Sequence, residues 1–207
     1  MIITLNTQDF AALFLSASIV VSKDSTRPHI AGVALQFETG LIRVSGTDGH
    51  RAFTGFMTYV VTECDQTLDG EAIVFRGVDV KTIGKALSDA CKKGGPDAIT
   101  IELSDRDAET MRVGIGATVY TRQRETEKFP PVRQVVTVPT SHGYGVAVPF
   151  VGVNANYLAD SAKMAKLIGP DSKSGGVEIM CSGALNPIHV TFDRLDARYV
   201  IMPMRAR

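Results

Sequence analysis

Apolar and polar positions follow the same order of elements three times along the 207-residue chain. Each time, a short apolar run precedes a segment with apolar residues at helical spacing, and three runs with the alternation of β-strands follow it. Recurrence of one order of elements indicates an internal repeat. We therefore predict three strand-helix-three-strand units, at 1–60, 61–136 and 137–207.

The first unit predicts a helix that offers no cation. Its strands are expected at 2–5, 33–37, 41–45 and 52–60, and Asn6 is suited to cap the helix because its side chain can accept from helical N–H groups. Helical spacing separates a buried stripe from an uncharged outer face. The stripe contains Phe10, Leu13, Phe14, Ala17 and Val21, and the outer face contains Ala11, Ser16 and Ser18.

The second unit predicts a helix with a row of lysines. Its strands are expected at 72–75, 98–103, 111–115 and 118–122, and its helix is expected to be capped by Asp79 and to end at Lys93, before two glycines and a proline. The buried stripe is predicted as Val80, Ile83, Leu87, Ala90 and Cys91, and a different face carries Lys81, Lys85, Ser88 and Lys92. Such a row is also typical of an ordinary solvated face, so both interpretations stay open.

The third unit repeats this arrangement. Its strands are expected at 145–151, 177–181, 188–192 and 198–202, and its helix is expected to run from an Asn154 cap to Gly169 and Pro170. Inward positions are Tyr157, Leu158, Ala165 and Ile168, and Lys163 and Lys166 lie outside. Since no single unit has enough apolar surface for a two-layer core, the units are expected to pair in an α+β fold, with helices on one side and sheets on the other.

Composition limits the classes of function. The 22 Lys and Arg residues equal the 22 Asp and Glu residues, so nucleic-acid binding by bulk positive charge is excluded and any DNA-facing surface must be local. Three cysteines far apart argue against a disulfide framework. Without an apolar run of ~18 residues or a basic N-terminal segment, we expect no membrane association and a cytoplasmic location.

Catalytic and cofactor motifs are weak in this sequence. The Gly-x-Gly at Gly114 lies between two predicted strands, so no helix N-terminus follows it to hold a phosphate. Asp105 and Asp107 lie in a turn, where carboxylates are commonly solvated. The histidines have no metal-ligand spacing; they are His29, His50, His142 and His189. We predict neither an enzyme nor a bound cofactor or metal.

Five motifs carry a resemblance to a known family. The segments "SKDSTRPHIAGVALQ", "TDGHRAF", "FPPVRQV", "VNANYLAD" and "YVIMPMR" occur in the order found in the beta subunit of bacterial DNA polymerase III, the sliding clamp. The resemblance implies a clamp fold, in which twelve such units form a ring with helices around duplex DNA and sheets outside. The chain is shorter than a bacterial clamp and resembles one complete clamp domain, 1–136, followed by half a domain, 137–207, as in a shortened clamp of phage type.

A half-domain would leave an open sheet edge and an exposed apolar helix stripe. The simplest way to bury this edge and this stripe is to pair them with the same unit of a second chain. If the ring keeps twelve units, three per chain predict a homotetramer; a trimer is the alternative if the third unit is a compact full domain.

The resemblance also implies how the protein works. A closed ring keeps a polymerase on double-stranded DNA by topology, so weak, sequence-independent contacts are sufficient. The expected contacts to DNA are Lys81, Lys85, Lys92, Lys163 and Lys166, and the expected protein partners are the DNA polymerase and the clamp loader. The alternative is a clamp-like protein that sequesters polymerase or loader peptides without encircling DNA.

A pocket for short hydrophobic peptides is the second implied surface. Carried over by motif, its residues are Arg27, Ile30, Thr47, Gly49, His50, Arg51, Pro130, Val135, Asn154, Tyr157, Ile188, Val200, Met202, Pro203, Met204 and Arg205. Ala52 and Ala206 replace larger aliphatic residues usual in the family, which predicts either a wider pocket or one that reads a different motif, and Val132 lies where the family commonly has an aromatic ring. For His50, a peptide contact and a turn residue satisfied by the backbone both remain open.

Overall fold

The computed structural model describes residues 2–24, 26–38, 40–63, 72–92, 94–103, 110–123, 129–136, 150–169 and 176–204. The helices are α1 (Thr7–Ile19), α2 (Val78–Lys92), α3 (Arg133–Val136) and α4 (Ala155–Ile168), with a 3-10 turn at Pro28–Ile30. The strands are β1 (Ile2–Asn6), β2 (Gly32–Glu38), β3 (Leu41–Thr47), β4 (Arg51–Thr58), β5 (Val60–Glu63), β6 (Ala72–Arg76), β7 (Ala98–Leu103), β8 (Thr110–Ile115), β9 (Thr118–Gln123), β10 (Glu178–Cys181), β11 (Ile188–Thr191) and β12 (Arg198–Ile201).

Two of the three predicted helix caps are present. The Asn6 side chain accepts from the N–H of Asp9 at 3.0 Å, and the Asn154 side chain accepts from the N–H of Asn156 at 2.9 Å. The Asp79 cap was wrong, because α2 begins one residue earlier, at Val78. Asp79 lies instead in the first turn, where a negative charge favours the helix and where it pairs with Arg122 at 2.5 Å.

The described strands form two antiparallel sheets, and the first two units exchange strands between them. The five-stranded sheet has the order β5-β1-β7-β8-β9, so the first strand of unit one pairs with unit two. The seven-stranded sheet has the order β10-β11-β12-β4-β3-β2-β6, so the first strand of unit two pairs with unit one. Each unit thereby covers the other, as expected of units that cannot fold alone.

The predicted strand at 52–60 proved to be two strands. β4 ends at Thr58 in the seven-stranded sheet, and β5 begins at Val60 and pairs with β1 in the five-stranded sheet. Tyr59 lies at the crossover, and its ring meets that of Phe37 edge to face at 6.0 Å. Alternating residues alone do not reveal that a strand changes sheets.

The third unit continues the seven-stranded sheet. β12 pairs antiparallel with β4, with Tyr199 opposite Phe53 and Val200 opposite Ala52. Residues 145–149 of the strand predicted at 145–151 lie outside the described residues, and Phe150 and Val151 are not in a strand.

Helices α1, α2 and α4 form one layer, the helix layer, and α1 lies in its middle, in contact with both α2 and α4. This position corrects the predicted outer face of α1, because Ala11 and Ser16 are buried between its neighbours. Cys91 and Leu158, predicted inside, are exposed, since each lies on a helix with only one helical neighbour among the described elements. No helix among the described residues is long and apolar enough to cross a bilayer.

Candidate functional site

A cavity of about 760 Å³ lies where units one and three and the segment 129–136 meet. A volume of this size is typical of small-molecule and peptide sites. Its lining residues are Arg27, His29, Ile30, Thr47, Gly49, Arg51, Ala52, Pro130, Pro131, Val132, Gln134, Val135, Ser182, Asn186, Pro187, His189, Val200 and Met202.

The floor of the cavity is a row of side chains across four neighbouring strands. His189 lies opposite Val200, Val200 opposite Ala52, and Ala52 opposite Thr47. Residues opposite each other in antiparallel strands share one face of the sheet. The alternate residues Phe53, Tyr199 and Ile201 are buried in the core beneath the helices. The cavity therefore opens on the face of the sheet that is turned away from α1, α2 and α4.

The segment 129–136 forms a wall above this floor. Phe129, Val132 and Val136 are buried against the sheet, in a small cluster that also contains Ala52 and Val200. The short helix α3 was not predicted from the sequence. The packing turns Pro130, Gln134 and Val135 to the cavity.

A tight hairpin between β3 and β4 forms a second wall. Asp48 Oδ1 accepts from the N–H groups of His50 and Arg51 at 2.9 and 3.0 Å. Thr47 Oγ1 donates to the carbonyl of Arg51 at 2.8 Å. Gly49 has a φ of +89°, which favours glycine, and a side chain there would come within 3.3 Å of Arg27 Nη1. This turn holds the rim of the cavity in one conformation.

Arg51 joins the hairpin to α4. Its Nε donates to Asp48 Oδ2 at 2.9 Å, its Nη1 to Asp160, and its Nη2 to the carbonyl of Ile19 at 3.2 Å. The guanidinium also lies 4.3 Å over the ring of Tyr157. The sequence suggested that Arg51 holds a ligand, whereas here each guanidinium nitrogen donates to the protein itself.

Burial and hydrogen bonding set the charges of this network. Burial acts to lower the pKa of Arg51, but the hydrogen bonds to the carboxylates of Asp48 and Asp160 outweigh it and raise the pKa. Burial acts to raise the pKa of Asp160, but hydrogen bonds from Lys163 and Arg51 hold that pKa below its usual range. Burial raises the pKa of Tyr199 to about 12, and its hydroxyl donates to the carbonyl of Tyr157 at 2.9 Å. Arg51 and Asp160 therefore form a charged pair throughout the neutral range.

The loop between β10 and β11 lines the far end of the cavity, and sequence reasoning missed it. Asn186 Nδ2 donates to the carbonyl and the hydroxyl of Ser182 at 3.2 and 3.3 Å. His189 follows on β11 with 4% of its surface exposed, and its Nδ1 has no partner among the residues that the structure describes. Burial, and to a lesser degree Arg198, lower the pKa of His189. The one sequence feature that could have indicated this part of the cavity is a histidine at a strand position that faces away from the core.

The cavity brings together part of the predicted pocket. Of the predicted residues, those at the cavity are Arg27, Ile30, Thr47, Gly49, Arg51, Pro130, Val135, Val200 and Met202. Among the described residues, His50, Asn154, Tyr157, Ile188, Pro203 and Met204 are not in its lining, and Arg205 lies outside the described residues.

The predicted pocket residues that do not line the cavity have other contacts. The His50 side chain is exposed, and its carbonyl accepts from the N–H of Met202 at 2.9 Å. Asn154 caps α4, and Ile188 is buried in the core on the helix side of the sheet. The N–H of Met204 donates to the carbonyl of Gly152 at 2.8 Å.

The five lysines predicted to face DNA lie in the helix layer. Lys81, Lys85 and Lys92 are exposed on α2, and Lys163 and Lys166 are exposed on α4. Lys163 donates to Asp160 Oδ1 at 2.6 Å, which reduces its availability to a phosphate. Among the described residues, no group of three or more His, Cys, Asp or Glu is placed to hold a metal ion.

Comparison with solved structures identifies the fold. The chain is similar to the DNA polymerase sliding clamp of Pseudomonas aeruginosa, with a TM-score of 0.77, 16% identity, 100% of this chain covered and 67% of that chain. It is similar to the Caulobacter crescentus beta sliding clamp, with a TM-score of 0.74, 15% identity and coverages of 99% and 65%. It is also similar to the DnaN sliding clamp of Bartonella birtlesii, solved bound to griselimycin, with a TM-score of 0.66, 16% identity and coverages of 99% and 66%.

No protein-family model and no curated protein matches the sequence. The likeness to the solved clamps is therefore one of fold, and it covers the whole chain. The chain spans about two thirds of the length of the clamp chains that it matches.

Proposed function

Taking its sliding-clamp fold as the premise, we propose that the protein is a DNA polymerase processivity factor, which encircles duplex DNA as a homo-oligomeric ring and tethers the polymerase through the cavity. The function is one of binding and includes no catalytic step. It would operate in the cytoplasm of a bacterial or phage-infected bacterial cell.

The cavity is the observation that carries this proposal. Its lining includes aliphatic residues, a methionine and three prolines, which suit apolar peptide side chains; they are Ile30, Ala52, Pro130, Pro131, Val132, Val135, Pro187, Val200 and Met202. Among the described residues that line it, none is Asp or Glu, and Arg27 lies at the rim with about half of its side chain exposed. Arg27 is paired with Asp24 Oδ2 at 3.7 Å, so the slot suits a short hydrophobic peptide, such as a segment of a polymerase or clamp loader, and does not depend on a charged flank.

The two sides of the molecule support separate roles. The cavity opens away from α1, α2 and α4, and the five lysines lie in the helix layer. Such an arrangement allows DNA and a peptide to bind at the same time. The balanced net charge suits a ring that must slide, because tight phosphate binding would hold it in place.

The proposal includes a closed ring that is formed by several copies of the chain. Residues 1–136 would be a complete clamp domain, and 137–207 would be half of one, paired with the same half of another subunit. Twelve units at three per chain make a tetramer, in preference to a trimer.

The peptide role is tested at Met202, which lines the cavity with 42% of its surface exposed, so that substitution there should not disturb folding. Random nine-residue peptides are selected by display on the wild-type protein, and one selected peptide is labelled for fluorescence polarisation. Met202→Asp should weaken its binding at least tenfold, because a carboxylate in the apolar slot loses hydration.

The matched control is Val78→Asp, the same kind of change at a residue of α2 that is 75% exposed and far from the cavity in the fold. It should leave peptide affinity unchanged. Equal affinity of both variants for the peptide, or no enrichment of any peptide, would contradict the proposed use of the cavity.

A further inference from the structure

A second cavity, of about 810 Å³, lies where α1 ends and α2 begins. The segment 22–31 separates it from the cavity of the candidate site, because Arg27 and Ile30 line that cavity whereas Pro28 and Ala31 line this one. The two cavities share no lining residue among those that the structure describes. The second one, the helix-end cavity, has no part in the peptide function proposed above.

Charged side chains give the helix-end cavity a positive surplus. Its lining includes the three cations Lys23, Arg76 and Lys81 and one carboxylate, that of Asp24, so its formal charge is +2. Lys23 and Lys81 are exposed, and neither is paired with a carboxylate among the described residues. Asp24 is already engaged, since its Oδ1 accepts from the N–H and the hydroxyl of Thr26 at 2.9 and 2.7 Å. The two lysines therefore remain available to an anion.

The rest of the lining is largely apolar. Apart from two serines and two glycines, the remaining residues are Leu15, Val21, Pro28, Ala31 and Val80. Burial of apolar ligand surface against such residues favours binding. α2 begins at Val78, directly after Gly77 of the lining, so the positive end of the helix dipole adds to the charge of the lysines. A ligand with an apolar body and an anionic group would find a matching surface for both.

We propose that the helix-end cavity binds a small organic phosphate, with its phosphate held by Lys23 and Lys81 and its apolar body against Val21 and Val80. A phosphate monoester carries a charge of about −1.5 to −2 at pH 7, which matches the formal charge of the lining. A carboxylate carries one negative charge and would neutralise only half of it. A backbone phosphate of DNA also carries one charge, and it brings no apolar body. The site is independent of ring closure and of the peptide cavity.

The probe is 1-naphthyl phosphate, which joins an apolar ring system to a phosphate monoester. Isothermal titration calorimetry at neutral pH and low salt should give a Kd of about 1 mM or tighter for the wild type, as expected for so small a ligand. 1-Naphthol lacks the phosphate and inorganic phosphate lacks the rings, so each should bind at least about tenfold more weakly.

Three alanine variants locate the binding. Lys23→Ala and Lys81→Ala should each weaken the binding of 1-naphthyl phosphate roughly three- to tenfold, because each removes one charge-assisted hydrogen bond to the phosphate. The matched control is Lys85→Ala, since Lys85 is an exposed lysine one turn further along α2 and does not line the cavity. It should leave the affinity for this probe unchanged. All three side chains are exposed, so these changes should not disturb folding.

Several results would overturn the inference. They are no heat of binding for 1-naphthyl phosphate, equal affinity for 1-naphthol, or an equal loss of affinity in Lys85→Ala, which would indicate general charge attraction. A short duplex DNA provides the last arm. If Lys23→Ala weakens binding of the duplex and leaves binding of 1-naphthyl phosphate unchanged, the cations contact the DNA backbone and the cavity holds no small phosphate. None of these results bears on peptide selection by the first cavity, so the two proposals fail separately.

Discussion

Asp160 provides a direct test of how the third unit is held to the first. Its side chain is 11% exposed and pairs with Arg51, whose side chain is 12% exposed, and it also accepts from Lys163. Asp160→Ala would leave a buried guanidinium with Asp48 and one carbonyl as its remaining acceptors. Removing one partner of a buried ion pair costs about 3–5 kcal/mol when the other charge is left alone. Because Asp48 still neutralises Arg51, we expect a loss of about 2–3 kcal/mol in the free energy of unfolding.

The control is Asp196→Ala, which removes the same kind of side chain from an exposed pair. Asp196 accepts from Arg198 at 3.1 Å, and the two side chains are 62% and 32% exposed. Exposed pairs contribute about 0–1 kcal/mol, since water screens them. Urea unfolding at pH 7 and one fixed protein concentration measures both variants, and a slope of about 2 kcal/mol per molar urea turns the expected loss into a midpoint lower by about 1–1.5 M.

Equal unfolding midpoints for the two variants would refute the reasoning. The network around Arg51 would then be an incidental surface arrangement, and the docking of α4 on the hairpin would depend on apolar packing alone. Asp160→Asn refines the result, because it keeps the shape and one hydrogen bond and should lie between the wild type and Asp160→Ala.

Two further predictions concern charge. Replacing Lys81 and Lys85 of α2 together by alanine should weaken binding to duplex DNA and reduce the salt dependence of that binding. The control is Arg112→Ala on β8, where the side chain is 60% exposed, and it should change neither quantity. Filter binding over a range of salt concentrations measures both. Because the pKa of His189 is lowered from 6.5 on folding, the unfolded chain binds more protons below that pH, so wild-type stability should fall relative to His189→Leu as the pH decreases from 7.5 to 5.5. A constant difference in urea midpoint over this range would mean that His189 titrates alike in both states.

Much of the fold was accessible from the sequence, because most helices and strands carry their own local signals. Asn6 and Asn154 cap helices as their positions indicated, and alternation located most of the strands. The failures concern contacts between units. Ala11 and Ser16 look like surface residues on an isolated helix, and only the flanking of α1 by two other helices buries them.

The candidate site was predictable only as far as motifs marked it. The hairpin at Thr47 and the prolines near Pro130 carried such motifs, and the structure brings them to one cavity. Arg51 could not be assigned correctly, because its partner Asp160 lies 109 residues away along the chain. Ser182, Asn186 and His189 were missed since their place at the cavity depends on β11 pairing with β12.

The most direct test of the central claim is the behaviour of the protein on closed and open DNA. The protein is loaded onto a nicked plasmid by a clamp loader or by reassembly of its subunits, and gel filtration measures the amount retained before and after a single restriction cut. A ring predicts stable retention on the circle and loss from the cut ends at physiological salt. Equal retention on both forms, or none on the circle although selected peptides bind, would contradict encirclement and favour a protein that only sequesters peptides.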